Sequence, residues 1–169
     1  MEADTQPPIK VRNAAEGDFT SITKLIKENA EYLDIKAPIY LSTDQLIKDC
    51  LHTEPPKFYC LICESEDELV GYTTYSHAYS TWVGRSMDIQ DFYIKANHRV
   101  ELFDTFAKAL VQRAQDLGCR RIGWRTAKTA GEYNDFWKNL GSIDITIDEN
   151  WHQYRLNSSD FQSFIDKCS

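Results

Sequence analysis

Five cysteines and four histidines are the side chains of this chain best suited to bind a metal or to act as nucleophile and base. Cys60 and Cys63 have C-x-x-C spacing, but they lie in an apolar run, Phe58-Tyr59-Cys60-Leu61-Ile62-Cys63, that reads as a strand. On a strand, positions three apart face opposite sides. No second cysteine pair and no neighbouring histidine completes a zinc set. His52, His77, His98 and His152 form no motif. The sequence therefore predicts no metal site. An odd cysteine count without a visible secretory signal predicts free thiols in a reducing, cytoplasmic compartment.

A different chemistry is available over residues 89–110. Residues 89–95 are β-favouring, 96–99 read as a turn, and Leu102, Phe103, Phe106, Ala109 and Leu110 follow helical spacing. Asn97 is the expected N-cap. A strand running into a helix start can hold a phosphate, because free backbone N–H groups and the helix dipole point at it. Here the helix opens Arg99-Val100-Glu101-Leu102-Phe103-Asp104-Thr105, with one cation, two carboxylates and no glycine. Glycine lets a backbone approach a phosphate without an intervening Cβ. Glu101 and Asp104 favour the helix but repel a polyphosphate. A like-charge pair about 4 Å apart costs about 1 kcal/mol in water and about 4 kcal/mol at an effective dielectric near 20. The reading favoured is a capped, solvated helix start.

Around that stretch, alternation predicts a first strand over 9–12 and an amphipathic helix over 15–33. Residues 34–41 read as a loop. Ser42 is the expected cap of a second helix through Leu51, broken by Pro55 and Pro56. Strands are predicted over 58–63 and 69–76 as an antiparallel hairpin, and over 87–95 as the central strand. A helix over 100–117 ends at Gly118, followed by a strand over 121–126 and a helix over 132–140 ending at Gly141. Residues 143–147 and 151–156 are expected to form a terminal strand pair, with a last short helix ending near Lys167. Alternation on the central strand puts Asp91 on the face opposite Gln90.

A hydrophobic fraction of 42% with 12% aromatic residues predicts a folded globule, one α+β domain over residues 9–169 behind a disordered lead-in over 1–8. No apolar run is long enough to cross a bilayer, so no membrane partner is expected. A net charge of −7 argues against nucleic acid, whose affinity comes mainly from neutralised phosphates.

Several runs carry a resemblance: Ile9-Lys10-Val11-Arg12, Leu25-Ile26-Lys27-Glu28, Tyr79-Ser80-Thr81-Trp82-Val83-Gly84-Arg85, Gln90-Asp91-Phe92-Tyr93, Phe136-Trp137-Lys138-Asn139-Leu140-Gly141 and Glu149-Asn150-Trp151. In this order the chain resembles the GNAT acyltransferase superfamily, and within it the diamine and thialysine N-acetyltransferase branch. The resemblance implies a GNAT fold, a mixed and mostly antiparallel sheet flanked by helices. It implies a homodimer and, if the protein is active, acetyl-CoA as cofactor. The motif for the cofactor pyrophosphate, R/Q-x-x-G-x-G/A, falls on Arg99 to Asp104. Val100, Leu102 and Asp104 stand where close relatives have glycine. Ile94, Thr105, Ala130 and Lys138 complete the implied cofactor-side positions, and an asparagine of the family falls on Ala130. The family's glutamate base falls on Gln90, and its tyrosine acid on Trp137. Neither amide nor indole moves a proton at useful rates. Tyr133, one turn before Trp137, is the candidate replacement acid. On the acceptor side the resemblance implies Tyr79, Trp82, Asp148, Glu149 and Trp151, a cation site between carboxylates and aromatic faces. The expected function is a catalytically impaired acetyltransferase homologue that binds a small amine or a protein partner. Two alternatives stay open: an active N-acetyltransferase for a polyamine or lysine-like amine, and a structural or dimerisation module.

Overall fold

Alternating residues at the start of the chain form strand β1 (Ile9–Asn13), and the predicted first helix follows as a short turn and α1 (Phe19–Tyr32). The computed structural model describes residues 9–168. The expected lead-in over residues 1–8 lies outside the described residues. The order continues with α2 (Thr43–Leu51), β2 (Tyr59–Ser65), β3 (Glu68–Ser80), β4 (Gly84–Ile94), α3 (Arg99–Asp116), β5 (Arg121–Trp124), α4 (Gly131–Asn139), α5 (Ile145–Asp148) and α6 (Phe161–Lys167). The chain divides into two compact units, Met1–Tyr133 and Asn134–Ser169.

The first unit holds a five-stranded sheet in the order β1-β2-β3-β4-β5. The first three pairings are antiparallel and β4 pairs with β5 in parallel. Parallel neighbours need a long crossover, and α3 supplies it. Helix periodicity decides what covers each face. Phe19, Ile22 and Leu25 of α1 and Cys50 of α2 pack on Cys60, Ile62, Tyr72 and Tyr93. On α3, Leu102, Phe103, Phe106 and Leu110 are buried, and the Phe92 ring lies 5.3 Å from Phe103 and 5.0 Å from Phe106. Each such buried side chain contributes about 1.5–3 kcal/mol of hydrophobic stabilisation. Cys60 and Cys63 are both buried free thiols, and burial pushes Cys63 up to about 11. Among the described residues no three or more His, Cys, Asp and Glu side chains group as metal ligands.

Local signals are read correctly at most helix ends. The Ser42 hydroxyl accepts from the Gln45 N–H at 3.1 Å, as a cap should. Gly118 (φ +69°) and Gly141 (φ +92°) end α3 and α4 in the left-handed conformation that glycine adopts without strain. Asn97 is not the cap of α3. The chain enters through a tight turn, His98 N–H to Lys95 C=O at 3.0 Å, so the N-cap position falls on His98 without a side-chain bond.

Two strand expectations fail. Residues 143–147 are not a strand, because the Asp144 carboxylate accepts from the Thr146 N–H at 3.1 Å and starts the single helical turn α5. Among the described residues, 151–156 take no strand partner, and the sheet holds β1 to β5. A third expectation, strict alternation on β4, also fails, and it bears on chemistry. Thr74 pairs with Asp91 and Tyr75 with Ile89, so Gln90 is the extra residue of a β-bulge. The bulge resets the alternation. Asp91 shares the face of Thr74, whose hydroxyl donates to its carboxylate at 3.2 Å. Asp88 pairs with Ser76, two residues on from Thr74 and therefore on that same face, and Gln90 bonds Asp88. Gln90 and Asp91 therefore face the same way, contrary to the strict period of two.

Candidate functional site

The start of α3 turns Arg99, Leu102 and Phe103 inward and its other motif residues outward. Helical spacing that buries Phe103 and Phe106 also buries Leu102, which is fully enclosed. Leu102 thus belongs to the core and does not stand over the helix start, as its glycine-replacing position suggested. Val100, Glu101, Asp104 and Thr105 are exposed. Arg99 is only 4% exposed. Its Nη1 donates to Glu132 Oε2 at 2.7 Å, its Nε to the Tyr133 hydroxyl at 3.1 Å, and Nε and Nη2 both to the Ile94 carbonyl at 3.3 Å. Its guanidinium carbon sits 4.2 Å from the Tyr32 ring centroid and 4.8 Å from that of Tyr133. Burial alone would depress this guanidinium, but Glu132 and the tyrosines outweigh it and raise its pKa.

Tyr133 completes the same node. Its hydroxyl accepts from the Ile94 N–H at 2.8 Å and from Arg99, and donates to the Ile94 carbonyl at 3.2 Å. Three bonds exhaust a phenol's usual capacity. Burial pushes its pKa up to about 12. The phenol's one proton is thus directed at backbone. Ala130, on the turn before α4, is also buried.

Gln90 lies in a second cluster on the bulge. Its Nε2 donates to Asp88 Oδ2 at 2.5 Å, and its Oε1 accepts from Arg125 Nη2 at 2.9 Å. Arg125 also reaches Asp88 at 3.4 Å. Asp91 beside it is partly buried, and burial raises its pKa against the opposing pull of Thr74. At the far end of the same hairpin Tyr79 and Trp82 are each 76% exposed. The Ser80 hydroxyl holds that turn by accepting from the Trp82 and Val83 N–H groups at 3.2 and 3.3 Å.

In the second unit, Trp137 lies one turn on from Tyr133 along α4, and its carbonyl accepts from the Leu140 and Ser142 N–H groups at the helix end. Lys138 is exposed. Asp148 caps its own turn by accepting from the Asp144 N–H at 3.1 Å, and Glu149 accepts from Trp151 Nε1 at 2.9 Å. Both carboxylates of the acidic pair are therefore engaged within the segment.

Residues 19–141 match the sequence profile of the Acetyltransferase (GNAT) family. The chain belongs to this family. It is 30% identical over 168 residues to the thialysine N-epsilon-acetyltransferase of Sus scrofa, covering 94% of this chain and 98% of that protein. The human spermidine/spermine N(1)-acetyltransferase-like protein 1 is 27% identical over 93% of this chain and 24% of its own length. The fold agrees. An aminoglycoside acetyltransferase from an uncultured soil metagenomic sample superposes with a TM-score of 0.69 at 18% identity, over 88% of this chain and 97% of that one. A transcriptional regulator from Bacillus halodurans superposes with a TM-score of 0.72 at 17% identity, over 89% and 99%. The GNAT fold resemblance read from the sequence is thus correct, as is the branch.

GNAT acetyltransferases use acetyl-CoA, and the start of α3 does not fit its pyrophosphate. The one cation of the motif is turned inward and neutralised by Glu132, while Glu101 and Asp104 are exposed on the outer surface of the helix start. The sequence reading missed Glu132, Tyr32, Asp88 and Arg125. Asp88 was within reach, since i and i+2 share a strand face. The other three meet their partners only through the fold.

Proposed function

We propose that this protein is a GNAT homologue impaired in acetyl transfer, which acts by binding a small amine or a protein partner. One observation supports the reading most directly. At the position of the family's base, Gln90 is a neutral amide held between Asp88 and Arg125. An amide has no useful proton affinity, and both of its functional ends are occupied. Aminolysis of a thioester starts from a free amine, and an amide at the base position takes no proton from the ammonium form. The exposed aromatics Tyr79 and Trp82 and the Glu149–Trp151 pair support amine binding, each within its own unit. The resemblance to the branch supports a homodimer.

The test is thiol release from acetyl-CoA over a panel of polyamines and lysine-like amines. The expected result is no rate above the uncatalysed reaction for the natural chain. Amine-dependent turnover by the natural chain would sink the proposal.

A second reading has an observation of its own. The bulge brings Asp91, a carboxylate with raised proton affinity, to the face of Gln90. In an active enzyme Asp91 would take the base's part, and Asp91→Asn would then abolish whatever turnover the panel uncovers.

A further inference from the structure

We infer that Arg99, Glu132 and Tyr133 form an internal plug, built from the cofactor motif itself, that bars pyrophosphate-bearing thioester cofactors from the start of α3. The inference rests on the proposed loss of acetyl transfer and adds a cause for it on the binding side.

The node carries this inference through how completely its groups are satisfied. β4 pairs with β5 only over Ser86–Ile89, so beyond Ile89 its outer edge leaves β5. At Ile94 that edge presents an N–H and a carbonyl, and one phenol bridges both. The Arg99 side chain is 5% exposed and donates to a carboxylate, a phenol and a carbonyl while lying on the faces of Tyr32 and Tyr133. A guanidinium that binds an incoming anion needs a donor edge open to it. Here each of the three guanidinium nitrogens already donates to a protein group in a buried setting. Recruiting it for a phosphate means separating it from Glu132 and exposing the phenol and Ile94 carbonyl that it serves. The exposed carboxylates of Glu101 and Asp104 add repulsion at the same place. Loss of the glycines alone would weaken a phosphate site. Internal consumption of the motif's only cation removes its charge as well.

The experiment is calorimetric titration of the full chain with acetyl-CoA and, separately, with inorganic pyrophosphate. The natural chain is expected to give no saturable heat up to about 1 mM of either. The double variant Glu132→Gln/Tyr133→Ser, checked for folding by circular dichroism, is expected to bind acetyl-CoA at least about tenfold more tightly than the natural chain. Should that variant unfold, Glu132→Gln alone alters a carboxylate that is 41% exposed, and freeing the guanidinium is expected to raise pyrophosphate affinity measurably. Micromolar binding by the natural chain overturns the inference. So does an opened, folded variant that binds no better. Tight binding without turnover would overturn the plug yet leave the impaired-transfer reading standing, whereas turnover defeats that reading.

Discussion

Two arginines of the first unit can be set side by side. Arg12 on β1 joins Asp18, ahead of α1, and Glu64 on β2, through contacts of 2.7 and 3.0 Å to Asp18 and 3.1 and 2.5 Å to Glu64. It is a structural clamp, and its side chain remains 30% exposed. Arg99 lies at a ligand-binding position of the family motif, yet its surroundings are those of a clamp, and it is far more deeply buried. Its partners come from β4 and α4, with the Tyr32 ring of α1 beneath it. An arginine kept for an anion has unspent donors facing solvent. One kept for the fold has carboxylate and carbonyl partners and π faces around it. By this criterion the surroundings of Arg99 are those of the Arg12 clamp.

The largest effect should come from Arg99 itself. Arg99→Met removes charge-assisted bonds to the Ile94 carbonyl, the Tyr133 hydroxyl and Glu132 and is expected to cost about 3 kcal/mol. Urea unfolding measures it, and a loss below that of Arg12→Ala would reverse the comparison. For Arg12→Ala the expected loss is about 1–2 kcal/mol, because the arginine is itself 30% exposed and solvent already screens its ion pairs. Tyr133→Phe removes one oxygen and strands the Ile94 N–H. The same denaturation curves should report about 1–2 kcal/mol, and no change would mean that the phenol is dispensable to the node.

The smallest predicted effects differ in sign between two carboxylates. Bonding to Arg12 lowers the Asp18 pKa below its ordinary 3.8, against the opposing effect of burial. The stability it adds is present above that ordinary value and is lost as pH falls through the folded-state value. Asp91 is raised above 3.8 by burial. Its contribution is fully present below the ordinary value and is lost as pH rises through the folded one. Asp18→Asn should therefore destabilise at neutral pH, and Asp91→Asn should stabilise. The Asp18 difference should shrink as pH falls below 3.8, whereas the Asp91 difference should shrink earlier, as pH falls through its raised folded value toward 3.8. Thermal melts across that range check the pair, and a shared sign would show that Asp91 is better solvated than its burial implies.

Much of the fold could be read directly from the chain. Ser42 capped the helix it was expected to cap, Gly118 and Gly141 ended theirs, and the spacing of Phe19, Ile22 and Leu25 marked the buried face of α1. Such signals are local, because a cap bond or a helical face is set by residues within a turn or two of each other. The terminal strands were misread for a related reason. Residues 143–156 carry β-favouring side chains, but a strand exists only if another strand pairs with it, and the Asp144 carboxylate offered the backbone a local alternative.

The sequence by itself determined which chemical groups are present: no glycine from Arg99 to Thr105, an amide at Gln90, an indole at Trp137. It also determined the order of strands and helices as far as α4, since period and capping are short-range. The tertiary structure alone decided what those groups do. The bulge that turns Asp91 toward the face of Gln90 arises from cross-strand register, which no single strand encodes. The inward course of Arg99 depends on Glu132 and Tyr133, 33 and 34 residues away. A guanidinium turns to wherever its charge is best compensated, and only the packed chain brought that carboxylate and those rings within reach.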